Sequence, residues 1–200
     1  MPREIEFLFD FGGPNSWFVH RAIPAIEAKG QVKFRYVPVL LGGIFKATGN
    51  KPPLMTYGHV AQKVAYDRLE MERFMTAHGI SGFQFNPHFP VNTLLAMRGA
   101  IAAEQLGCGP AYREAMYTAL WQDGQKLDEQ DVWTRVLQQA GLDVAALSAL
   151  VADEAVKAEL VASTESAVAR GAFGVPTFFL GDEMWFGKDR LRDVVEAAGG

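Results

Sequence analysis

The 200-residue sequence predicts an α/β fold in which both ends of the chain build a four-stranded mixed sheet with helices on both faces. Three observations support this prediction. Residues 5–39 show strand, helix and strand patterns in turn, residues 57–170 show helical periodicity almost throughout, and residues 175–200 return to two strands and a helix. Because two strands alone leave one face of a sheet uncovered, the two terminal segments are expected to combine.

The N-terminal segment predicts a strand, a helix and a second strand. Residues 5–9 alternate as a half-buried strand does. Pro14 suits a first helical turn, where a missing N–H costs nothing, and Gly30 lies just past the end of the helical pattern. The second strand is predicted at residues 32–39. Two strands joined through a helix in this way are expected to run parallel.

The middle of the chain predicts helices only. Residues 41–53, LGGIFKATGNKPP, are predicted to form a loop rich in glycine and proline. From about Tyr57 to Arg170, turn-forming residues divide the sequence into six helices. Two domains follow from this division: residues 1–55 and 171–200 form the sheet domain, and residues 56–170 form an all-helical insertion domain.

The C-terminal segment returns to strands. VPTFFL predicts a third strand at residues 175–180, a turn follows at Gly181 and Asp182, and EMWF predicts a fourth strand at residues 183–186. A closing helix is predicted from about Lys188. The chain therefore reads as βαβ, a helical block and ββα.

The composition excludes several classes of function. With 19 basic and 23 acidic side chains and no run of Lys or Arg, the sequence does not predict the basic patch that nucleic-acid-binding proteins use. The one cysteine, Cys108, excludes an internal disulfide and a CxxC redox pair, and it fits a reducing compartment, so the cytoplasm is expected. The four histidines lack metal-binding spacing, so no metal is expected, and no apolar stretch is long enough to cross a membrane.

Five blocks of sequence resemble one known family. They are FLFDFGGPNSW, LLGGIFKATGNKPP, PHFPVNTLLAMR, GAFGVPTFF and WFGKDRL. Together and in this order they resemble the 2-hydroxychromene-2-carboxylate isomerases and the kappa-class glutathione transferases. The resemblance implies a thioredoxin-like fold with a DsbA-type helical insertion, and it covers nearly the whole chain.

The resemblance also implies glutathione as the cofactor, with its thiol at the N-terminus of the first helix, and a homodimer. It implies cis-trans isomerisation of a small aromatic carboxylate by reversible addition of the glutathione thiolate. A kappa-type glutathione transferase or peroxidase is a second reading. A glutathione-binding protein without catalytic activity is a third, because the serine that usually precedes the proline in this family is Gly13 here.

The first turn therefore needs another group to stabilise a thiolate. Asn15 and Ser16 are the candidates beside Gly13 and Pro14, since their amide and hydroxyl groups stand at a helix N-terminus. An ordinary surface or first-turn role for Ser16 stays open. By resemblance, Asn50 also reaches toward the thiol end of glutathione, and Lys51 offers a cation for a carboxylate. From the sequence alone, a Gly-Asn pair before two prolines is more often an ordinary turn, and only the resemblance raises the binding role of Asn50 to equal standing.

Three further positions complete the expected cofactor site. The resemblance implies a cis peptide bond between Val175 and Pro176, where the Val175 backbone binds glutathione as an added strand; a trans proline that begins an edge strand is the alternative. Lys188 and Asp189 open the last helix, and Asp189 is expected to bind the ammonium group of glutathione. A simple helix-capping role for Asp189 stays open.

Overall fold

The computed structural model describes residues 2–199 and brings both ends of the chain into one four-stranded sheet. The strands are β1 (Arg3–Phe9), β2 (Val32–Pro38), β3 (Thr177–Leu180) and β4 (Glu183–Phe186), in the order β2-β1-β3-β4. β1 and β2 are parallel, whereas β3 is antiparallel to both β1 and β4. The predicted mixed sheet is confirmed.

Helices account for most of the other described residues. They are α1 (Pro14–Glu27), α2 (Leu41–Thr48), α3 (Pro53–Tyr57), α4 (Ala61–His78), α5 (Leu94–Gln105), α6 (Gly109–Trp121), α7 (Gln130–Gln139), α8 (Val144–Ala152), α9 (Glu154–Ala169), a 3₁₀ turn (Lys188–Arg190) and α10 (Leu191–Ala197). Six of them, α4 to α9, fill the region where six helices are predicted. Within residues 2–199, no helix is long and apolar enough to span a membrane.

The two faces of the sheet carry two hydrophobic clusters because side chains alternate along each strand. Phe7 and Phe9 of β1 point into the larger cluster, which continues without a break through α1 and α5 to α8. Leu8 and Phe179 point to the other face, where α2 and α9 cover them. The larger cluster is shared by the predicted sheet domain and the predicted helical insertion, and the division into two domains stays a prediction.

The segment 41–53 corrects one expectation. It was predicted as a loop, but Leu41–Thr48 forms α2 and Pro53–Tyr57 forms α3. Gly43 lies inside α2, where a Cβ atom would stand 3.1 Å from Thr164 Cγ2 of α9. The glycine lets the two helices approach closely, and this packing outweighs the low helix propensity of glycine.

Candidate active site

The candidate site is organised around the 173–176 loop, which joins α9 to β3. The Val175–Pro176 peptide bond is cis, as the resemblance predicts. A Cβ atom on Gly13 would stand 3.1 Å from Val175 Cγ2, so the start of α1 packs directly on this loop. Pro176 O accepts a hydrogen bond of 2.9 Å from Gly187 N–H, which brings the Lys188–Arg190 turn to the same place. Residues far apart in sequence therefore meet here.

The backbone of Val175 has hydrogen-bonding groups that the described chain does not use. Within the described chain, neither its N–H nor its C=O forms a hydrogen bond. A peptide that lies beside Val175 in extended conformation has both a donor and an acceptor available. The side chain of Val175 is buried against Gly13, so only the backbone is offered.

The first turn of α1 offers one free backbone donor. Gly13 is the N-cap residue, and its carbonyl accepts hydrogen bonds from the N–H groups of Ser16 and Trp17. Pro14 has no N–H, so Asn15 N–H is left without a partner in the first turn. A free N–H at the positive end of a helix dipole is a suitable place for an anion such as a thiolate.

Two polar side-chain atoms beside this turn also lack partners. Asn15 Oδ1 and Ser16 Oγ are both buried and form no hydrogen bond with the described residues. Ser16 is fully buried, and its hydroxyl lies 3.3 Å from the position that a Cβ atom on Gly13 would take. The hydroxyl of Ser16 thus lies next to the space left by the missing family serine.

Tyr117 of α6 lies behind Ser16. Its hydroxyl lies close to that of Ser16. Among residues 2–199, neither hydroxyl has a hydrogen-bond partner that meets both distance and angle requirements. The Tyr117 ring is held by an edge contact with Phe11 at 4.8 Å and by stacking on His20 at 4.7 Å. Burial raises the pKa of Tyr117 well above its ordinary value, so this hydroxyl keeps its proton. No pattern in the sequence indicates a role for this residue.

Asp10 fixes the position of the turn that leads into α1. No sequence pattern indicates this role. Its carboxylate is fully buried and accepts hydrogen bonds from Gly12 N–H at 2.8 Å and from Leu41 N–H at 2.7 Å. Burial raises the pKa of Asp10, while these hydrogen bonds oppose the rise. Because Leu41 is the first residue of α2, Asp10 links the end of β1 to the helix that leads to Asn50.

Asn50 and Lys51 reach the site through the 173–176 loop. Asn50 Nδ2 donates to Phe173 O at 2.8 Å, and Asn50 Oδ1 accepts from Lys51 N–H at 2.8 Å. Asn50 therefore ties the segment after α2 to the loop that contains Val175. Both Asn50 and Lys51 are exposed, and their contacts with glutathione stay a prediction.

Lys188 and Asp189 lie in the 3₁₀ turn after β4, next to Pro176. The side chain of Lys188 is only 5% exposed, and its ammonium group pairs with Asp189 Oδ1 and lies 5.2 Å from the centre of the Phe74 ring. The carboxylate of Asp189 is mostly exposed. The acid expected to bind an ammonium group of glutathione is therefore already paired with one inside the protein.

This pairing predicts a coupled effect on stability. We expect Asp189→Asn to lower the free energy of unfolding by about 1 kcal/mol, since it leaves a buried ammonium group without a carboxylate while solvent screens part of the loss. In a Lys188→Met background, which keeps an apolar stem of similar length, Asp189→Asn is expected to change almost nothing. Urea denaturation of the four variants measures the coupling. Equal effects of Asp189→Asn in both backgrounds contradict the pairing.

The phenylalanines of the 79–93 segment serve mainly as core. From their closeness in the sequence, Phe83, Phe85 and Phe89 are expected either to cover an active-site cleft or to fill the core. All three rings lie about 6 Å from the ring of Trp121, and its indole N–H donates to Phe11 O at 2.7 Å. Only Phe85 is strongly exposed, so it alone of these three is available to a ligand.

The fold and the site define a class of protein. A four-stranded sheet, a cis-proline loop and a helix N-terminus that meet at one point characterise the thioredoxin-like proteins, and the large helical segment places the chain in the DsbA-like branch. The family described as DSBA-like thioredoxin domain matches residues 4–199. The chain belongs to this family.

Within the family, the chain groups with isomerases and kappa-class transferases. It is 30% identical to the 2-hydroxychromene-2-carboxylate isomerase of Pseudomonas sp. (strain C18), over 98% of this chain and 90% of that protein. It is 28% identical to glutathione S-transferase kappa 1 of Rattus norvegicus, over 95% of this chain and 88% of that protein. A solved structure of a 2-hydroxychromene-2-carboxylate isomerase matches with a TM-score of 0.83 and 27% identity, covering 98% and 94% of the two chains.

Proposed function

We propose that this protein is a glutathione-dependent cis-trans isomerase of a small aromatic carboxylate such as 2-hydroxychromene-2-carboxylate. The proposal rests on the contact between Gly13 and Val175. This contact places the unpaired Asn15 N–H of the α1 N-terminus near the N–H and C=O of Val175, which form no hydrogen bond within the described chain. The similarity to named isomerases along almost the full chain supports the same reaction class. A homodimer and a cytoplasmic location stay predictions.

The residues present fit glutathione. Its peptide groups require backbone partners, and in the described part of the chain Val175 has an N–H and a C=O without hydrogen bonds. Its thiolate requires donors, and Asn15 N–H and the buried Ser16 hydroxyl have no partners within the described chain. Unpaired buried polar groups are unfavourable unless a ligand completes them, so these groups favour a bound molecule of this chemistry.

Each residue then has a definite task. Val175 orients the peptide backbone of the cofactor, while Asn15 N–H and the Ser16 hydroxyl hold negative charge on sulfur. Asn50 keeps the 173–176 loop in place, and the exposed Lys51 supplies positive charge for a carboxylate, whereas Lys188 is already paired with Asp189. When bound, glutathione supplies a thiolate that adds reversibly to a conjugated carbon and leaves after rotation about the resulting single bond.

The proposal is tested by calorimetric titration with glutathione, followed by an assay of 2-hydroxychromene-2-carboxylate turnover. We expect saturable binding of glutathione and turnover that stops when glutathione is omitted. Binding with no turnover of this substrate, together with activity on an aryl halide or a hydroperoxide, favours the kappa-type transferase or peroxidase instead. The similarity to a protein named glutathione S-transferase kappa 1 is the observation behind this second candidate.

Ser16→Ala separates a catalytic hydroxyl from a structural one. Because Ser16 Oγ has no hydrogen-bond partner among residues 2–199, its removal is expected to leave the free energy of unfolding unchanged or to raise it by about 1 kcal/mol. The pKa of the bound glutathione thiol is expected to rise by about one unit, since a hydrogen bond to a charged acceptor is lost. Chemical denaturation and the ultraviolet absorbance of the thiolate against pH measure the two effects.

Ser163→Ala is the matched control for this variant. The Ser163 hydroxyl donates to Pro38 O at 2.7 Å, so its removal is expected to cost about 1 kcal/mol of stability and to leave the thiol pKa unchanged. If Ser16→Ala behaves in the same way as Ser163→Ala, the Ser16 hydroxyl is structural and does not stabilise the thiolate.

A further inference from the structure

A cleft lies between α2, α5 and α9. Its volume is about 360 Å³, and none of the ten candidate site residues lines it. Its apolar lining is aliphatic, formed by leucine, valine and alanine side chains: Leu40, Ala47, Leu94, Leu160, Val161 and Val168. A cleft of this size accommodates a small organic molecule, and this lining is suited to an aliphatic chain.

The charges around this cleft are mainly positive and are incompletely paired. Arg98 of α5 lines the cleft with a buried Nε that has no hydrogen-bond partner, and within residues 2–199 its guanidinium forms no ion pair. Lys46 of α2 likewise has no ion pair in the described chain, whereas Lys157 is paired with Glu154 at 2.7 Å. Glu165, the one acidic residue of the lining, is exposed and forms no ion pair with these cations.

The buried Nε–H of Arg98 lacks a hydrogen-bond acceptor within the described chain, and a bound ligand can supply one. A buried N–H without a partner is unfavourable because it has lost its hydrogen bond to water, and in Arg98 this applies to Nε. A carboxylate matches the planar fork of arginine with two parallel hydrogen bonds. The aliphatic walls beside Arg98 favour a carboxylate that carries a hydrocarbon tail.

We propose that the α2–α5–α9 cleft is a binding site for a medium-chain aliphatic carboxylate. Arg98 binds the carboxylate, Lys46 adds a long-range attraction at the rim, and the leucine and valine side chains cover the hydrocarbon chain. The site is independent of the proposed glutathione chemistry, since its residues and its ligand are different.

The test uses octanoate as the probe, with 1-octanol as its neutral analogue and acetate as the carboxylate without a tail. Binding is followed by calorimetry and by amide chemical shifts of isotope-labelled protein, with and without glutathione. We expect octanoate to shift the signals of α2, α5 and α9, while 1-octanol and acetate bind at least about tenfold more weakly. Equal affinity for octanoate and 1-octanol, or displacement of octanoate by glutathione, overturns the proposal.

Three variants locate the ligand. Arg98→Gln is expected to weaken octanoate binding about tenfold, and Lys46→Gln, at an exposed position, about twofold to threefold. Val161→Trp fills the cleft from an exposed position of α9 and is expected to abolish binding without touching any charge. Lys29→Gln removes an exposed cation elsewhere and serves as the control with unchanged affinity. If Val161→Trp binds octanoate as tightly as the natural protein, the ligand is not in this cleft.

Discussion

Gly99→Ala is expected to destabilise the protein by about 3 kcal/mol, although alanine is the better helix former by about 1 kcal/mol. Gly99 lies in the interior of α5, and an added Cβ would overlap the hydroxyl of Tyr112 and stand 2.6 Å from Tyr112 Cζ. Tyr112 is fully buried and cannot move aside. Its hydroxyl donates to Ala96 O at 3.0 Å and accepts from Trp133 Nε1 at 2.9 Å, so the whole contact between α5 and α6 has to change.

Gly42→Ala is the matched control. Gly42 also lies inside a helix, α2, but it is exposed and an added Cβ meets no atom within 4 Å. The same substitution is therefore expected to stabilise the protein by about 0.5–1 kcal/mol. Urea denaturation of both variants measures the difference in sign. A small effect of Gly99→Ala, equal to that of Gly42→Ala, would contradict the packing of α5 on α6.

These two glycines also show what the sequence can and cannot predict about the fold. Strand alternation, proline at a helix start and glycine past a helix end are local patterns, and they correctly predict the sheet, α1 and the six helices α4 to α9. The role of Gly99 depends on Tyr112, which comes from another helix. The same limit explains α2, whose Gly43 is useful only because Thr164 of α9 packs on it.

Some features of the candidate site can likewise be predicted from the sequence, whereas others depend on residues that are distant in the chain. The resemblance correctly predicts the cis bond before Pro176, and it selects segments that do meet around the 173–176 loop. The sequence gives no indication of Asp10 as the link between β1 and α2, because its partner Leu41 is distant in the chain. Nor does it indicate that Lys188 is buried and already neutralises Asp189, since this depends on the packing of α4 above the last turn.

Gly13→Ser and Gly13→Ala together are expected to separate the hydroxyl from the methylene group at the position where the family usually has serine. Gly13 has φ −91° and ψ 109°, which any L-residue adopts, so the backbone does not oppose either change. Both variants place a Cβ 3.1 Å from Val175 Cγ2, and we expect each to lose about 1 kcal/mol of stability as Val175 shifts. Only the serine adds a donor near the thiol.

The difference between the two variants is therefore the effect of the hydroxyl alone. We expect the pKa of the bound glutathione thiol to be about one to two units lower in Gly13→Ser than in Gly13→Ala. At a pH below both pKa values, turnover by Gly13→Ser is expected to be at least about tenfold faster than turnover by Gly13→Ala. If Ser16 already acts in place of the missing serine, Ser16→Ala lowers the activity, and adding Gly13→Ser to the Ser16→Ala variant restores it. Turnover that appears only after Gly13→Ser, with none in the natural protein, means that the natural chain binds glutathione without catalysis.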